Sequence, residues 1–239
     1  MVRVPRRFVT LLLLLAPLVA ACGESRPAPV TITEQEVLEP GQLPDSSRVA
    51  IVALGDSLTA GLGLLSEEAY PTVLQHMFAS EGYPEVEVVN AGVSGDTTAG
   101  GLRRAPSTLE PSTRIAIVAL GGNDALRGLA VRQTRENLKG IIDFYVENGV
   151  DVLLAGMYAP TNLGADYQTA FANVFSSLAR EYEGRIRYVP FLLEGVAGRA
   201  DLNQADGIHP NAQGARMIAE LLYPSLRDMV NDLPPAPLQ

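Results

Sequence analysis

Three polar side chains of this sequence are of the types that nucleophilic acyl transfer requires. Ser57 follows the apolar run Val49–Leu54 and Gly55, and a serine hydroxyl attacks a carbonyl carbon once a base takes its proton. Asp206 precedes His209 by three residues in a predicted turn, a spacing that lets the carboxylate reach one ring nitrogen while the other faces outward. The alternative is that Ser57, Asp206 and His209 only cap helices and form turns, as these residue types often do.

Acyl transfer also needs hydrogen-bond donors for the charge that develops on the carbonyl oxygen. Gly92 follows a predicted strand and offers a backbone N–H with no side chain in the way. Asn123 offers a side-chain amide beside two glycines, and the N–H of Ser57 would be a third donor. The alternative for Gly92 and Asn123 is a tight turn. Asp96 and Asp124, in the same segments, are assigned to caps or local hydrogen bonds.

Hydrophobic patterning predicts the elements that would bring these groups together. Apolar runs predict five strands, at 49–54, 86–90, 114–120, 151–155 and 186–189. Helical spacing predicts four long helices, at 70–81, 134–148, 166–182 and 211–230. Strands that alternate with helices imply an α/β fold with a parallel sheet covered on both faces. The loops that carry the polar groups should meet at one rim, where ligands bind in such sheets. The other histidine, His76, is interpreted as structural.

The composition narrows the possible partners. The chain has 239 residues, enough for one sizeable domain with extensions, and a formal net charge of −9. An acidic surface argues against a nucleic acid partner, because phosphate binding requires a positive face. The single cysteine excludes an internal disulfide framework and a CxxC metal site.

Both ends of the chain are predicted to lie outside the folded domain, which is placed at 48–231. Three arginines precede a short apolar run, so residues 1–22 are predicted to be a secretory signal. Cys22, the last residue of this segment, follows small residues and resembles the lipidated cysteine of bacterial lipoproteins. The alternative is ordinary signal cleavage, in which Cys22 has no role. Proline-rich residues 23–47 are predicted to be a flexible tether, and residues 232–239 a loose tail. We therefore expect an exported protein, periplasmic or held at a membrane by a lipid anchor.

Taken together, four segments resemble the conserved blocks of the SGNH hydrolases, also called GDSL esterases and lipases. They are Gly55-Asp56-Ser57-Leu58, Gly92, Gly121-x-Asn123-Asp124 and Asp206-x-x-His209-Pro210. The resemblance covers about residues 48–223 and is closer to the subgroup of bacterial arylesterases, lysophospholipases and acyl-CoA thioesterase I. One departure is that this subgroup often has a tryptophan before the proline of the first helix, where this chain has Tyr70.

The resemblance implies a flavodoxin-like three-layer α/β/α sandwich and a serine esterase without metal or organic cofactor. It implies that Ser57 is the nucleophile, His209 the base and Asp206 the acid that orients the base. It further implies that the N–H groups of Ser57 and Gly92, with the Asn123 amide, form the oxyanion hole.

The same resemblance implies where substrate binds. The loop 157–164 falls where related enzymes shape the acyl groove, and its candidate groove residues are Met157, Tyr158, Pro160 and Asn162. We expect a monomer that hydrolyses small acyl esters, with aryl, short-to-medium acyl, lysophospholipid or thioester-like substrates. Two alternatives stay open: an esterase that removes O-acetyl groups from polysaccharide or cell wall, and a binding lipoprotein with an inactive site.

Overall fold

The computed structural model of the chain describes residues 48–234. The predicted signal, the lipidation site Cys22 and the tether all lie outside this range, so they stay predictions. The last five residues of the predicted tail lie outside it as well. Within the described residues, no helix is both long and apolar enough to cross a membrane.

A five-stranded parallel sheet forms the centre of the fold, as the sequence predicts. Its strands are β1 (Val49–Gly55), β2 (Val86–Gly92), β3 (Thr113–Ala119), β4 (Asp151–Ala155) and β5 (Ile186–Val189), in the spatial order β2-β1-β3-β4-β5. The inner strands β1 and β3 are buried along almost their whole length, since helices cover both faces of a parallel sheet. The order places the end of β1 between those of β2 and β3.

Seven α-helices and three short 3₁₀ helices, Ser66–Glu68, Ala105–Thr108 and Thr161–Leu163, complete the described part of the chain. The α-helices are α1 (Ser57–Ala60), α2 (Tyr70–Ser80), α3 (Thr98–Arg104), α4 (Gly122–Leu126), α5 (Val131–Glu147), α6 (Ala165–Glu181) and α7 (Ala212–Asp232). Helix α2 packs against α7, while α5 packs against both α3 and α6. These two groups cover opposite faces of the sheet, which gives the predicted three layers. The four long helices agree with their predicted ranges to within three residues.

Two local features differ from the prediction. Strand β2 runs to Gly92, two residues further than predicted, and Gly92 pairs with Gly55 at the end of β1. Helix α3 is absent from the prediction because two of its seven residues are glycines, which are poor helix formers. Its first turn is stabilised by the Thr97 side chain, which accepts a hydrogen bond from the Gly100 N–H.

Candidate active site

The end of β1 carries the predicted nucleophile. A Cβ added to Gly55 would lie 1.8 Å from Thr59 Oγ1, so the sharp turn from strand to helix requires glycine. Asp56 then caps α1, since its Oδ1 accepts a hydrogen bond from the Leu58 N–H at 3.0 Å. Ser57 is therefore the first residue of α1, half-buried at the carboxyl edge of the sheet.

The loop before α7 brings the other two predicted residues to the same place. Asp206 Oδ1 accepts the N–H groups of Ile208 and His209, at 2.9 and 3.0 Å, which closes a tight turn. Asp206 Oδ2 lies 2.6 Å from His209 Nδ1, and His209 Nε2 lies 2.9 Å from Ser57 Oγ. A hydroxyl, an imidazole and a carboxylate thus form one chain of hydrogen bonds across 152 residues of sequence.

The pKa values of two carboxyl groups at this site, those of Asp206 and Asp56, are shifted in opposite directions. Hydrogen bonds from the His209 N–H and imidazole, and from the Ile208 N–H, lower the pKa of Asp206 to about 2. Burial raises the pKa of Asp56 to about 6, and the hydrogen bonds that this carboxyl accepts offset only part of that effect. Asp206 is consequently ionised at neutral pH, where it can stabilise positive charge on the imidazole.

Two predicted oxyanion donors line a cavity of about 510 Å³ at this edge of the sheet. Asn123 is in α4, directly beyond β3, and its Nδ2 donates to Asp56 Oδ2 at 3.2 Å. An amide nitrogen has two N–H groups, so one is left for a ligand. The N–H of Ser57 is at the start of a helix, where backbone donors have no intrahelical acceptor. Both groups are available for hydrogen bonding.

The assignment of Gly92 requires a correction. Because β2 is longer than predicted, Gly92 is the last residue of a strand and does not line the cavity. Its N–H donates to Asn90 Oδ1 at 3.0 Å. A Cβ added to Gly92 would lie 2.2 Å from Ala60 N, so the glycine allows α1 to lie close to β2. Gly95, in the turn after β2, lines the cavity in its place.

The predicted groove loop forms one wall of the cavity, with one exception. Met157, Tyr158 and Pro160 line the cavity, and Tyr158 stacks on Phe191 with ring centroids 4.3 Å apart. Asn162 does not line it: this residue is exposed in a short 3₁₀ helix, so its prediction as a groove residue is wrong. Most of the cavity wall is apolar, which suits a hydrocarbon chain.

Comparison with known proteins identifies the family. The family model described as "GDSL-like Lipase/Acylhydrolase family" matches residues 53–217, a range that contains the hydrogen-bonded chain of serine, histidine and aspartate. The protein belongs to the GDSL-like lipase/acylhydrolase family. The resemblance inferred from the four sequence blocks is therefore confirmed.

The chain is similar along most of its length to other ester hydrolases. The chain is 40 % identical over 181 residues to esterase TesA of Pseudomonas aeruginosa, covering 75 % of this chain and 89 % of TesA. It is 36 % identical over 182 residues to thioesterase 1/protease 1/lysophospholipase L1 of Escherichia coli, covering 76 % and 85 %. The crystal structure of AlinE4, an SGNH-hydrolase family esterase, matches with a TM-score of 0.63 at 43 % identity, covering 78 % of this chain and 97 % of AlinE4. The chain is a GDSL/SGNH ester hydrolase.

Arg104, which was not among the predicted site residues, holds the strand ends of this GDSL esterase together. Its guanidinium donates to Asp96 Oδ2, to Ala91 O and to Gly55 O, each at 2.6 Å. One side chain thus binds the ends of β1 and β2 and the turn that follows β2. The sequence carries no signal for this role, because no spacing links an arginine to backbone oxygens on other elements.

Gln204 is a second residue that the sequence did not reveal. Its side-chain nitrogen donates to Leu62 O at 2.7 Å and to Pro210 O at 2.9 Å. Leu62 follows α1 and Pro210 follows His209, so the glutamine joins the segment of the serine to the loop of the histidine. A lone glutamine in a loop has no sequence signal for this role.

The remaining polar residues predicted to be structural lie outside the hydrogen-bonded chain. Asp96 accepts the N–H of Thr97 next to it, as expected, besides its contact with the arginine. Asp124 is buried and caps α3 rather than its own helix, since it accepts the Thr98 N–H at 2.8 Å. His76 is exposed on α2, which is consistent with its exclusion from the site.

Proposed function

We propose that this ester hydrolase uses Ser57 as its nucleophile, His209 as its base and Asp206 to orient and stabilise the imidazole. The observation that supports these roles is that His209 lies between the other two groups, 2.9 Å from Ser57 Oγ and 2.6 Å from Asp206 Oδ2. His209 Nε2 takes the hydroxyl proton as Oγ attacks the ester carbonyl, and returns it to the leaving alcohol. A water molecule, activated by the same nitrogen, then hydrolyses the acyl-serine.

We further propose that the oxyanion is held by the N–H groups of Ser57 and Gly95 and by the Asn123 amide. In this set Gly95 takes the place of Gly92, whose N–H donates to Asn90 Oδ1. Gly95 has φ of +79°, as the turn from Val93 to Asp96 requires, and it lines the cavity with the other two donors. Donors fixed in advance stabilise the developing charge without reorganisation.

The substrates that we propose are small acyl esters, with aryl, short-to-medium acyl or lysophospholipid groups. The apolar cavity and the names of the relatives, which include esterase and lysophospholipase, support this class. The aromatic pair Tyr158 and Phe191 supplies a flat apolar wall in the cavity that Ser57 also lines. A thioester with the same acyl group would fit the same wall, because the apolar side chains of the wall would contact the acyl chain, which the two kinds of ester share.

Labelling of the serine tests this proposal directly. We expect a fluorophosphonate probe to label the parent at Ser57 and the parent to hydrolyse p-nitrophenyl esters. Ser57→Ala should abolish both. Ser66→Ala, a change of an exposed serine outside the cavity, is the matched control and should keep both. A Ser57→Ala variant with parental turnover would refute the assignment.

An acyl-length panel defines the substrate class. We expect p-nitrophenyl butyrate and hexanoate to be hydrolysed faster than acetylated xylan releases acetate. Faster release from the glycan would favour the O-acetyl esterase instead. A parent that neither binds the fluorophosphonate probe nor hydrolyses any member of the panel would favour the inactive binding protein.

We also propose that the chain is exported and lipidated at Cys22. The support comes from the sequence alone, namely the apolar run before this cysteine. Mass spectrometry of the mature protein from membranes should give a first residue Cys22 that carries acyl groups. An unmodified thiol at this position, or a different first residue, would contradict the proposal.

A further inference from the structure

Most of the large apolar side chains that are exposed on residues 48–234 lie at the cavity. The exposed side chains of this kind are those of Leu62, Leu65, Val93, Leu126, Tyr158 and Ile208, each between 47 % and 61 % exposed. Four of the six line the cavity itself, while the other two, Leu65 and Val93, lie in the connections that follow α1 and β2. We call these six residues the apolar rim. Single exposed apolar residues are normal, but a cluster around one opening indicates an interaction surface.

We propose that the apolar rim docks onto a surface of zwitterionic phospholipid. The inference rests on the proposed function, because the rim is continuous with the apolar cavity next to Ser57. An acyl chain that leaves the lipid layer through the rim could reach the serine without passing through water, which lowers the free-energy cost of extraction. The rim would thus determine how the substrate is presented, while the catalytic residues determine the reaction.

The charges around the rim favour a zwitterionic surface over an anionic one. Within two residues of the rim in sequence, the exposed acidic and basic side chains are those of Glu67, Arg127 and Asp206. No lysine or arginine lines the cavity, and the chain has a net charge of −9. Anionic lipid attracts clusters of lysine and arginine, which this surface does not offer. Binding would therefore depend on the burial of apolar side chains.

The form of the rim favours lipid over a protein partner. Tyr158 combines an exposed apolar ring with a hydroxyl, a combination typical of residues at the boundary between lipid and water. The rim also surrounds an open cavity, which lipid chains can fill, whereas a protein face across it would have to leave the cavity empty or block it. A fluid lipid layer therefore matches the apolar rim better than a protein surface does.

The absence of tryptophan from the chain allows a clean test. Leu65→Trp, in the full chain, places one indole on the rim but outside the cavity. Glu147→Trp is the matched control, since this exposed residue ends α5 at the opposite edge of the sheet. Vesicles of diether phosphatidylcholine serve as the probe, because they contain no ester to hydrolyse. Hydrolysis of soluble p-nitrophenyl butyrate is measured in parallel.

We expect the vesicles to shift the emission of the Leu65→Trp variant to shorter wavelength and to leave that of the Glu147→Trp variant unchanged. Adding phosphatidylglycerol to the vesicles should reduce the shift. No shift for Leu65→Trp, or equal shifts for both variants, would overturn the docking proposal. A shift that appears without vesicles and grows with protein concentration would also overturn it, in favour of a second copy of the chain. Loss of butyrate hydrolysis alone would refute the proposed function and not the docking.

Discussion

The strand end 55–57 and the loop 206–209 each place an aspartate beside the site, but in opposite environments. Asp56 is buried, with 2 % of its surface exposed, and its pKa is raised to about 6. Asp206 is exposed, and its hydrogen bonds lower its pKa to about 2. Both accept one or more backbone N–H groups and one side chain. The access of water, more than the number of hydrogen bonds, separates the two groups.

This difference shows how the two regions are built. The strand end is positioned by the sheet, because Gly55 and Asp56 are surrounded by packed elements and by the Arg104 guanidinium. The loop is positioned by its own short hydrogen bonds around Asp206 and by the side chain of Gln204. The serine is therefore positioned by the packed sheet, whereas the histidine is positioned by local hydrogen bonds. Substitutions in the two regions should have different consequences.

The largest effect is expected from the exposed carboxylate. Asp206→Asn removes the negative charge beside His209 Nδ1 and lets an amide N–H compete for that nitrogen, so the imidazole loses its orientation and stabilisation. We expect kcat for p-nitrophenyl butyrate to fall by about 10³–10⁴-fold. Asp201→Asn, a change of another exposed aspartate in the same connection, is the control and should leave kcat unchanged. A loss of less than tenfold for Asp206→Asn would mean that the loop does not supply the acid.

The next effect tests the rigid region. Asn123→Ala removes a donor that lines the cavity and is held by Asp56. We expect kcat to fall by about 10²–10³-fold, because the oxyanion loses one preorganised hydrogen bond. KM should change little, since the ground-state carbonyl is held less strongly than the oxyanion. Asn162→Ala, at the exposed asparagine outside the cavity, should have parental kinetics. An unchanged kcat for Asn123→Ala would remove this residue from the oxyanion hole.

The sequence predicted the site residues better where their role depends on a local pattern than where it depends on distant contacts. The turn from Asp206 to His209 is encoded in four consecutive residues, and the strand Val49–Gly55 in an apolar run, so the sequence predicts both. The assignment of Gly92 is wrong because strand ends are difficult to predict. Strand β2 is two residues longer than predicted, so Gly92 belongs to the strand and the loop begins after it. Gly95 lies at the cavity because β2 ends at Gly92, so the position of Gly95 follows from a strand end that the sequence did not predict.

Contacts between distant segments could not be predicted from one sequence. Arg104 binds oxygens on β1 and β2, and Gln204 reaches a carbonyl 142 residues away. The choice of these partners follows from the packing of the elements, which no periodicity describes. Helix α3 was missed for a related reason: its glycines oppose a helix locally, while the cap from Asp124 comes from beyond the next strand.

The dependence of stability on pH should have opposite signs in the two regions. The pKa of Asp56 is raised in the folded state from 3.8 to about 6, so its contribution is present below pH 3.8 and is lost as the pH rises to 6. This loss is on the order of 3 kcal/mol in the free energy of unfolding. The pKa of Asp206 is lowered from 3.8 to about 2, so its contribution is present above pH 3.8 and is lost as the pH falls towards 2.

Denaturant unfolding of the parent, Asp56→Asn and Asp206→Asn between pH 3 and pH 7 measures these signs. The stability of the parent minus that of Asp56→Asn should fall from pH 4 to pH 6. The difference between the parent and Asp206→Asn should rise from pH 3 to pH 4. Slopes of the same sign would contradict the contrast between the two carboxyl environments.

The smallest effect on activity is expected where the two regions are joined. Gln204→Ala removes the hydrogen bonds to Leu62 O and Pro210 O, and with them the side-chain link between the loop and the segment after α1. Reacting groups that lose their alignment react more slowly, and we expect kcat to fall about tenfold with KM nearly unchanged, because Gln204 does not line the cavity. Gln213→Ala, at an exposed glutamine in the first turn of α7, should have no effect. Equal kinetics for the two variants would mean that the turn of Asp206 positions His209 without help from the serine segment, so the loop would be an independent unit.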